Sequence, residues 1–201
     1  GVGGTAGIGA AIGIAVAQNF IGGQPGDSDA TPLLVQAYLN DTAVITPAAL
    51  DIEANADQTI QSLVVAGSVA IGAAGTVGLA IAGSGVYAEN RIGVDVKSAI
   101  DGAGATQIQA ASVTLDADND SSIHALAGAA AVAAAFGGTV GVAVSIGLGL
   151  ARNTIDSHVE ASIEGADVDT TAAAGGDISV TADDRAVIDS VAFAAAIALA
   201  V

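Results

Sequence analysis

From Val140 to Ala151 the chain alternates strictly between bulky and tiny side chains. Val140, Val142, Val144, Ile146, Leu148 and Leu150 occupy the even positions, and Gly141, Ala143, Ser145, Gly147, Gly149 and Ala151 the odd ones. A period of two belongs to an extended strand, not to a helix. Both faces of such a strand are apolar, so each calls for a cover: a core for the branched side chains, a closely approaching surface for the small ones. The same alternation runs through Ile8, Ile12, Ile14 and Val16, and through Val77, Leu79 and Ile81. A different pattern follows Asn153. There Ile155, Val159 and Ile163 alternate with Asp156, His158, Glu160 and Glu164, which is a half-buried strand with one wet face. Gly165 to Asp177 reads as a loop, and so does the insertion Gln24–Pro32.

The pattern repeats. Gly-Thr-x-Gly occurs at Gly4-Thr5, Gly75-Thr76 and Gly138-Thr139, and an Asn follows each Thr by 14 positions, at Asn19, Asn90 and Asn153. Acidic segments beginning at Leu50, Leu115 and Val180 lie 65 residues apart. The glycines predict a corner, with backbone angles that other residues avoid. The asparagines predict either a ladder of side-chain amides bonding backbone in adjacent rungs, or a residue tolerant of left-handed turn geometry. The expected fold is all-β: a β-solenoid with wide coils and about three repeats of about 65 residues. An antiparallel sandwich of repeated hairpins is the alternative. The chain reads as one repetitive domain, 1–201, with approximate repeats 1–49, 50–114 and 115–179. Residues 180–201 form a part-repeat that the first 49 residues of a next copy complete. It is therefore expected to be a segment of a longer array or a subunit that joins its own kind. Large side chains are expected to point into the coil, leaving flat Ala/Gly faces as docking surfaces.

Composition narrows the function classes. Four basic residues against 21 acidic ones give a net charge of −17, which argues against nucleic-acid binding. There is no Cys, hence no disulfide framework or thiolate chemistry. Residues 64–88 and 125–151 carry no charge and are long enough to span a bilayer as helices. The two-residue period, the glycine density and the lack of flanking Lys/Arg speak against that reading. A transmembrane barrel would need polar lumen positions where this chain has Gly and Ala.

Candidate chemistry is sparse. Asp116, Asp118 and Asp120 alternate and could offer hard oxygen ligands to Ca²⁺, but a solvated acidic edge is the better reading, and no cofactor is expected. His124 and His158 have no ligand or base partner nearby in sequence. Asn119-Asp120-Ser121 is a glycosylation sequon by pattern. No catalytic residue is expected, and the chain is read as a non-enzyme.

Four segments together carry a family likeness. These are Val180-Thr181-Ala182-Asp183, Asn119-Asp120 leading into Ile123 and Ala125-Leu126-Ala127-Gly128-Ala129, Gly137-Gly138-Thr139 leading into Gly141-Val142 and Val144-Ser145, and Asn153-Thr154-Ile155. They resemble repeats of very large bacterial surface proteins, the filamentous-haemagglutinin-like and leukotoxin-type filamentous adhesins. The resemblance implies secretion, a long β-helical stalk and a role in attachment, aggregation or fibre formation. The expected function is a structural segment of an extracellular fibre or cell-surface adhesin that self-associates through Ala/Gly-rich faces; a Ca²⁺- or carbohydrate-binding secreted module is the alternative. Expected partners are further copies, end to end and side by side, and a cell surface or matrix. Nucleic acid and a membrane span are not expected.

Overall fold

The computed structural model describes residues 1–23, 31–170 and 176–201, so the tip of the predicted Gln24–Pro32 loop lies outside the described residues. Among the described residues twelve strands form in chain order: β1 (Val2–Gly3), β2 (Ala6–Ile21), β3 (Leu33–Asn40), β4 (Val44–Ile45), β5 (Leu50–Ala56), β6 (Thr59–Ala74), β7 (Val77–Ala110), β8 (Val113–Asn119), β9 (Ser122–Gly137), β10 (Val140–Thr170), β11 (Ile178–Asp184) and β12 (Val187–Ala200). The described residues contain no helix.

Three sheets result. Sheet A runs β1-β6-β9-β12. Sheet B places β7 between β10 and β2, with β3 and β4 continuing the β2 side. Sheet C runs β11-β8-β5. Every strand pairing among the described residues is parallel, which rules out the antiparallel hairpin sandwich. Chemically matched residues stack in register: Asn19 beside Asn90 beside Asn153, and Ile60 beside Ile123 beside Ile188.

The register corrects the sequence period in one place. Val180 lies beside Leu115, as a spacing of 65 requires, but Leu115 lies beside Ile52 and not Leu50. The slip is two residues, so every side chain keeps its face. Sheet C thus pairs at a spacing of 63 between its first two strands (113 − 50) and 65 between its last two (180 − 115), and the extra two residues enter through a register shift at Glu164/Ala166, where Gly165 adopts φ +60°, and a longer connection between β10 and β11. The predicted loop over Gly165–Asp177 is also shorter than expected, since Ala166–Thr170 pairs with Thr106–Ala110; residues 171–175 lie outside the described set.

Two regions differ in what they bury. In the base, the second half of β7 and its neighbours pack against sheet C and the start of sheet A. Ile92, Val94, Val96, Ile100, Ile108, Val113, Leu115 and Ile123 are fully buried there. In the arm, the rest of sheet A lies directly on the first halves of β2, β7 and β10. Its interior is almost wholly Ala: Ala80, Ala82, Ala131, Ala133 and Ala135 are at most 1 % exposed. The bulky members of the alternation face outward, with Ile12 80 %, Val69 64 % and Leu148 65 % exposed.

This reverses the expected orientation. The Ala/Gly faces are interior and cannot be docking surfaces. The physical reason is the closeness of the two sheets. A Cβ on Gly13 would overlap the carbonyl of Gly67, and one on Gly147 would press on that of Ala195. Sheets that approach so nearly leave little volume for branched side chains between them; Val64 and Val86 fit among Ala66, Ala88, Ala127 and Ala129, and most of the other Val, Ile and Leu side chains of the arm are outside.

Candidate functional site

The asparagine column is the best-defined polar feature of the interior. Asn19 Nδ2 donates to Asn90 Oδ1 at 2.8 Å, Asn90 Nδ2 donates to Asn153 Oδ1 at 2.7 Å, and Asn153 Nδ2 donates to Ser190 Oγ at 2.8 Å. The amides bond one another, where the sequence reading had them bonding backbone. None of the three has positive φ, so the left-handed-turn alternative does not hold. Nor do they mark a corner, since each lies within a continuous strand. Asn90 is 1 % exposed, and its amide finds a donor and an acceptor without water. The ladder sits at the junction of arm and base.

Gly4-Thr5, Gly75-Thr76 and Gly138-Thr139 form the tip, where the chain crosses from sheet A to sheet B. The tips stack through Gly75 N–H to Gly4 O at 3.1 Å, Val77 N–H to Thr5 O at 3.0 Å and Thr139 N–H to Thr76 O at 3.0 Å. These glycines do not supply positive φ, contrary to expectation. What Gly138 supplies is room, because a Cβ there would overlap the Gly75 carbonyl below it.

The arm's outer faces end at polar rows. On sheet B the row is Gln18, Glu89 and Arg152. Glu89 accepts from Tyr87 Oη at 2.9 Å and from Gln18 Nε2 at 3.1 Å, with Arg152 at 3.8 Å. The bond to Glu89 pushes the Tyr87 phenol above its usual pKa. On sheet A the row is Gln61, His124 and Asp189, and it borders a shallow hollow of about 480 Å³ shared with Leu63, Leu126 and Val191. Between these rows and the tip no residue is charged.

The acidic edge is engaged internally. Asp116 and Asp118 face outward from β8, and Asp118 pairs with Arg185 at 3.0 Å. Asp120 lies beyond the end of β8. No group of three or more His, Cys, Asp or Glu among the described residues could hold a metal ion. His124 stands 3.9 Å from Asp189 and His158 3.9 Å from Glu160. Sequence reading missed the role of Asn119, which it noted as part of a sequon. Asn119 is fully buried; it donates to Asp184 at 2.7 Å and accepts from Ser121 at 2.7 Å, and Ser157 bonds the same Asp184 at 2.6 Å. Its parity with Val113, Leu115 and Ala117 was the available signal.

The fold defines an all-β protein of stacked parallel sheets with an exposed apolar surface on its arm. No helix is long and apolar enough to cross a membrane among the described residues. Comparison with family models, curated proteins and solved structures finds no match.

Proposed function

We propose that the chain is a segment of a wide β-solenoid serving as a structural repeat in an extracellular fibre or giant bacterial cell-surface adhesin. One observation carries this reading. The chain visits sheets B, C and A in the same order three times, and equivalent residues stack in register on each pass. Such stacking has no intrinsic end, because each tier offers the next an open edge of backbone groups. The acidic composition, with a net charge of −17, suits a secreted, solvated surface.

The outermost tiers favour continuation by a further copy. Extending the observed register, Asn153 would meet Asn19 of the next copy, continuing the ladder with the same donor direction. Glu160 would meet Gln36, Glu164 would meet Asn40, Thr181 would meet Glu53 and Asp183 would meet Asn55. None of these pairs sets like charges together.

Tandem fusions of two and four copies test the reading by small-angle scattering and electron microscopy. Continuous rods lengthening by about 14 Å per copy, three tiers at about 4.8 Å each, support it. Separate globules on flexible joints reject it.

A further inference from the structure

The outer faces of the arm form a large apolar surface that the stacking of tiers leaves open. On sheet B, the middle strand has Gly83 and Gly85 where its neighbours have Ile12 and Ile14 on one side and Ile146 and Leu148 on the other. A Cβ at either glycine would meet nothing within 4 Å. The result is a furrow of about 260 Å³ walled by Ile14, Tyr87, Leu148 and Leu150. On the opposite outer face, Phe193 of β12 leans across sheet A onto Gly128 of β9, where a Cβ would overlap the ring. Ridge and furrow lie back to back at one height on the arm. Gly149 abuts the Phe193 backbone through the interior, and Gly149 is in register with Val86, next to Gly85. A second copy displaced along the sheet normal, without rotation, therefore sets its Phe193 ring over this furrow.

We propose that the arm packs against the arm of a second copy, sheet A of one on sheet B of the other, with Phe193 seated over Gly83 and Gly85. Eleven residues at about 3.3 Å each, across three strands at about 4.8 Å, give roughly 500 Å² per face. Two such faces bury about 1,000 Å², the lower bound of a specific interface. No charged side chain is covered. The two faces differ, so the contact is heterologous and each copy keeps a free face for the next; lateral growth follows. A lipid surface suits the arm less well. Glu89 and Asp189 border it on a chain of net charge −17, and the free edges of β2 and β12 would carry backbone groups into hydrocarbon. The inference rests on the exposed faces and does not depend on the fibre reading.

Sedimentation velocity on the full chain, from micromolar to submillimolar, tests it. The wild type is expected to form concentration-dependent oligomers. Gly85→Val fills the furrow and Phe193→Ala removes the ridge, and each is expected to weaken association about tenfold or more. Gly85→Val should keep or raise the melting temperature, since a β-branched residue replaces glycine at an open strand position. End-to-end joining leaves Gly85 untouched, so undiminished association of both variants overturns the proposal. A wild type that stays monomeric throughout also overturns it, as does one that floats with phosphatidylcholine vesicles while showing no self-association.

Discussion

Within one strand, β7, Ile92, Val94, Val96 and Ile100 point inward while Arg91, Asp95 and Lys97 point outward. A few residues earlier in the same strand, Ala80, Ala82 and Ser84 point inward while Leu79 and Ile81 point outward. The alternation is unbroken, but the large side chain changes sides relative to the core. The base encloses a volume bounded by parts of three sheets, which only branched side chains can fill. The arm is two sheets in near contact, separated mostly by Ala, Gly and Ser, with Val64 and Val86 as the branched residues inside. The base thus gains stability by removing apolar area from water. The arm relies on backbone hydrogen bonds and close small-residue packing, and leaves most of its large apolar side chains exposed.

Substitutions that give opposite results in the two regions test this comparison most sharply. Leu115→Ala empties a fully buried site in the base, and about 3–4 kcal/mol of stability should be lost in urea unfolding. Ile146→Ala, on the arm's outer face, should cost under about 1 kcal/mol in dilute solution. Equal losses would mean that the arm buries its large residues after all.

Overpacking probes the arm from inside. Ala133→Leu forces two sheets apart and should cost about 2–3 kcal/mol. Ala134→Leu, one residue on and facing out between Ile71 and Leu199, should change stability by no more than about 0.5 kcal/mol by the same measurement. Ala143 lies in the inward series, so Ala143→Glu would test the fold and not a docking surface.

The junction comes next. Asn90→Ala breaks two amide bonds at once and should cost about 2 kcal/mol by thermal unfolding. Asn19→Ala breaks one, at the edge of the stack, and should cost about half as much. A smaller effect of opposite sign is expected at Ser84, whose hydroxyl is buried in the arm with no hydrogen-bond partner. Ser84→Ala should stabilise by about 1 kcal/mol in urea unfolding.

The smallest effect belongs to the wet face of the base. The Ser162 hydroxyl and then Lys97, 3.4 Å away, hold the Glu160 carboxyl below its usual pKa. Because the folded value is the lower one, this contribution is present at neutral pH. It fades as the pH falls through the carboxylate range towards the depressed value. Both groups are well exposed, so the change in urea midpoint should be slight, and Lys97→Gln should make it slighter. A larger acid-induced loss in Lys97→Gln than in the wild type would contradict this assignment.

Much of the architecture was legible before any coordinates. Strict alternation gave the strands, and the equal Thr-to-Asn spacing aligned Asn19, Asn90 and Asn153, which stack in that register. Other features were hidden for identifiable reasons. The acidic markers misaligned Leu50 with Leu115 because a two-residue slip preserves parity and so leaves the pattern intact. Asn119 was read with its acidic neighbours, although only its parity decides that it is buried. The furrow at Gly83 and Gly85 is invisible along the chain, since its walls come from strands some seventy residues before and sixty after it.

The sequence by itself determined the two-residue alternation, the existence of a repeat and the positions where the asparagines and the Gly-Thr pairs recur, because these follow from local geometry and from likeness between copies. Tertiary structure alone decided which half of each alternation is inside. That choice depends on the distance between two sheets, and a strand carrying Ala on one face and Val on the other is compatible with either distance until its partner is in place.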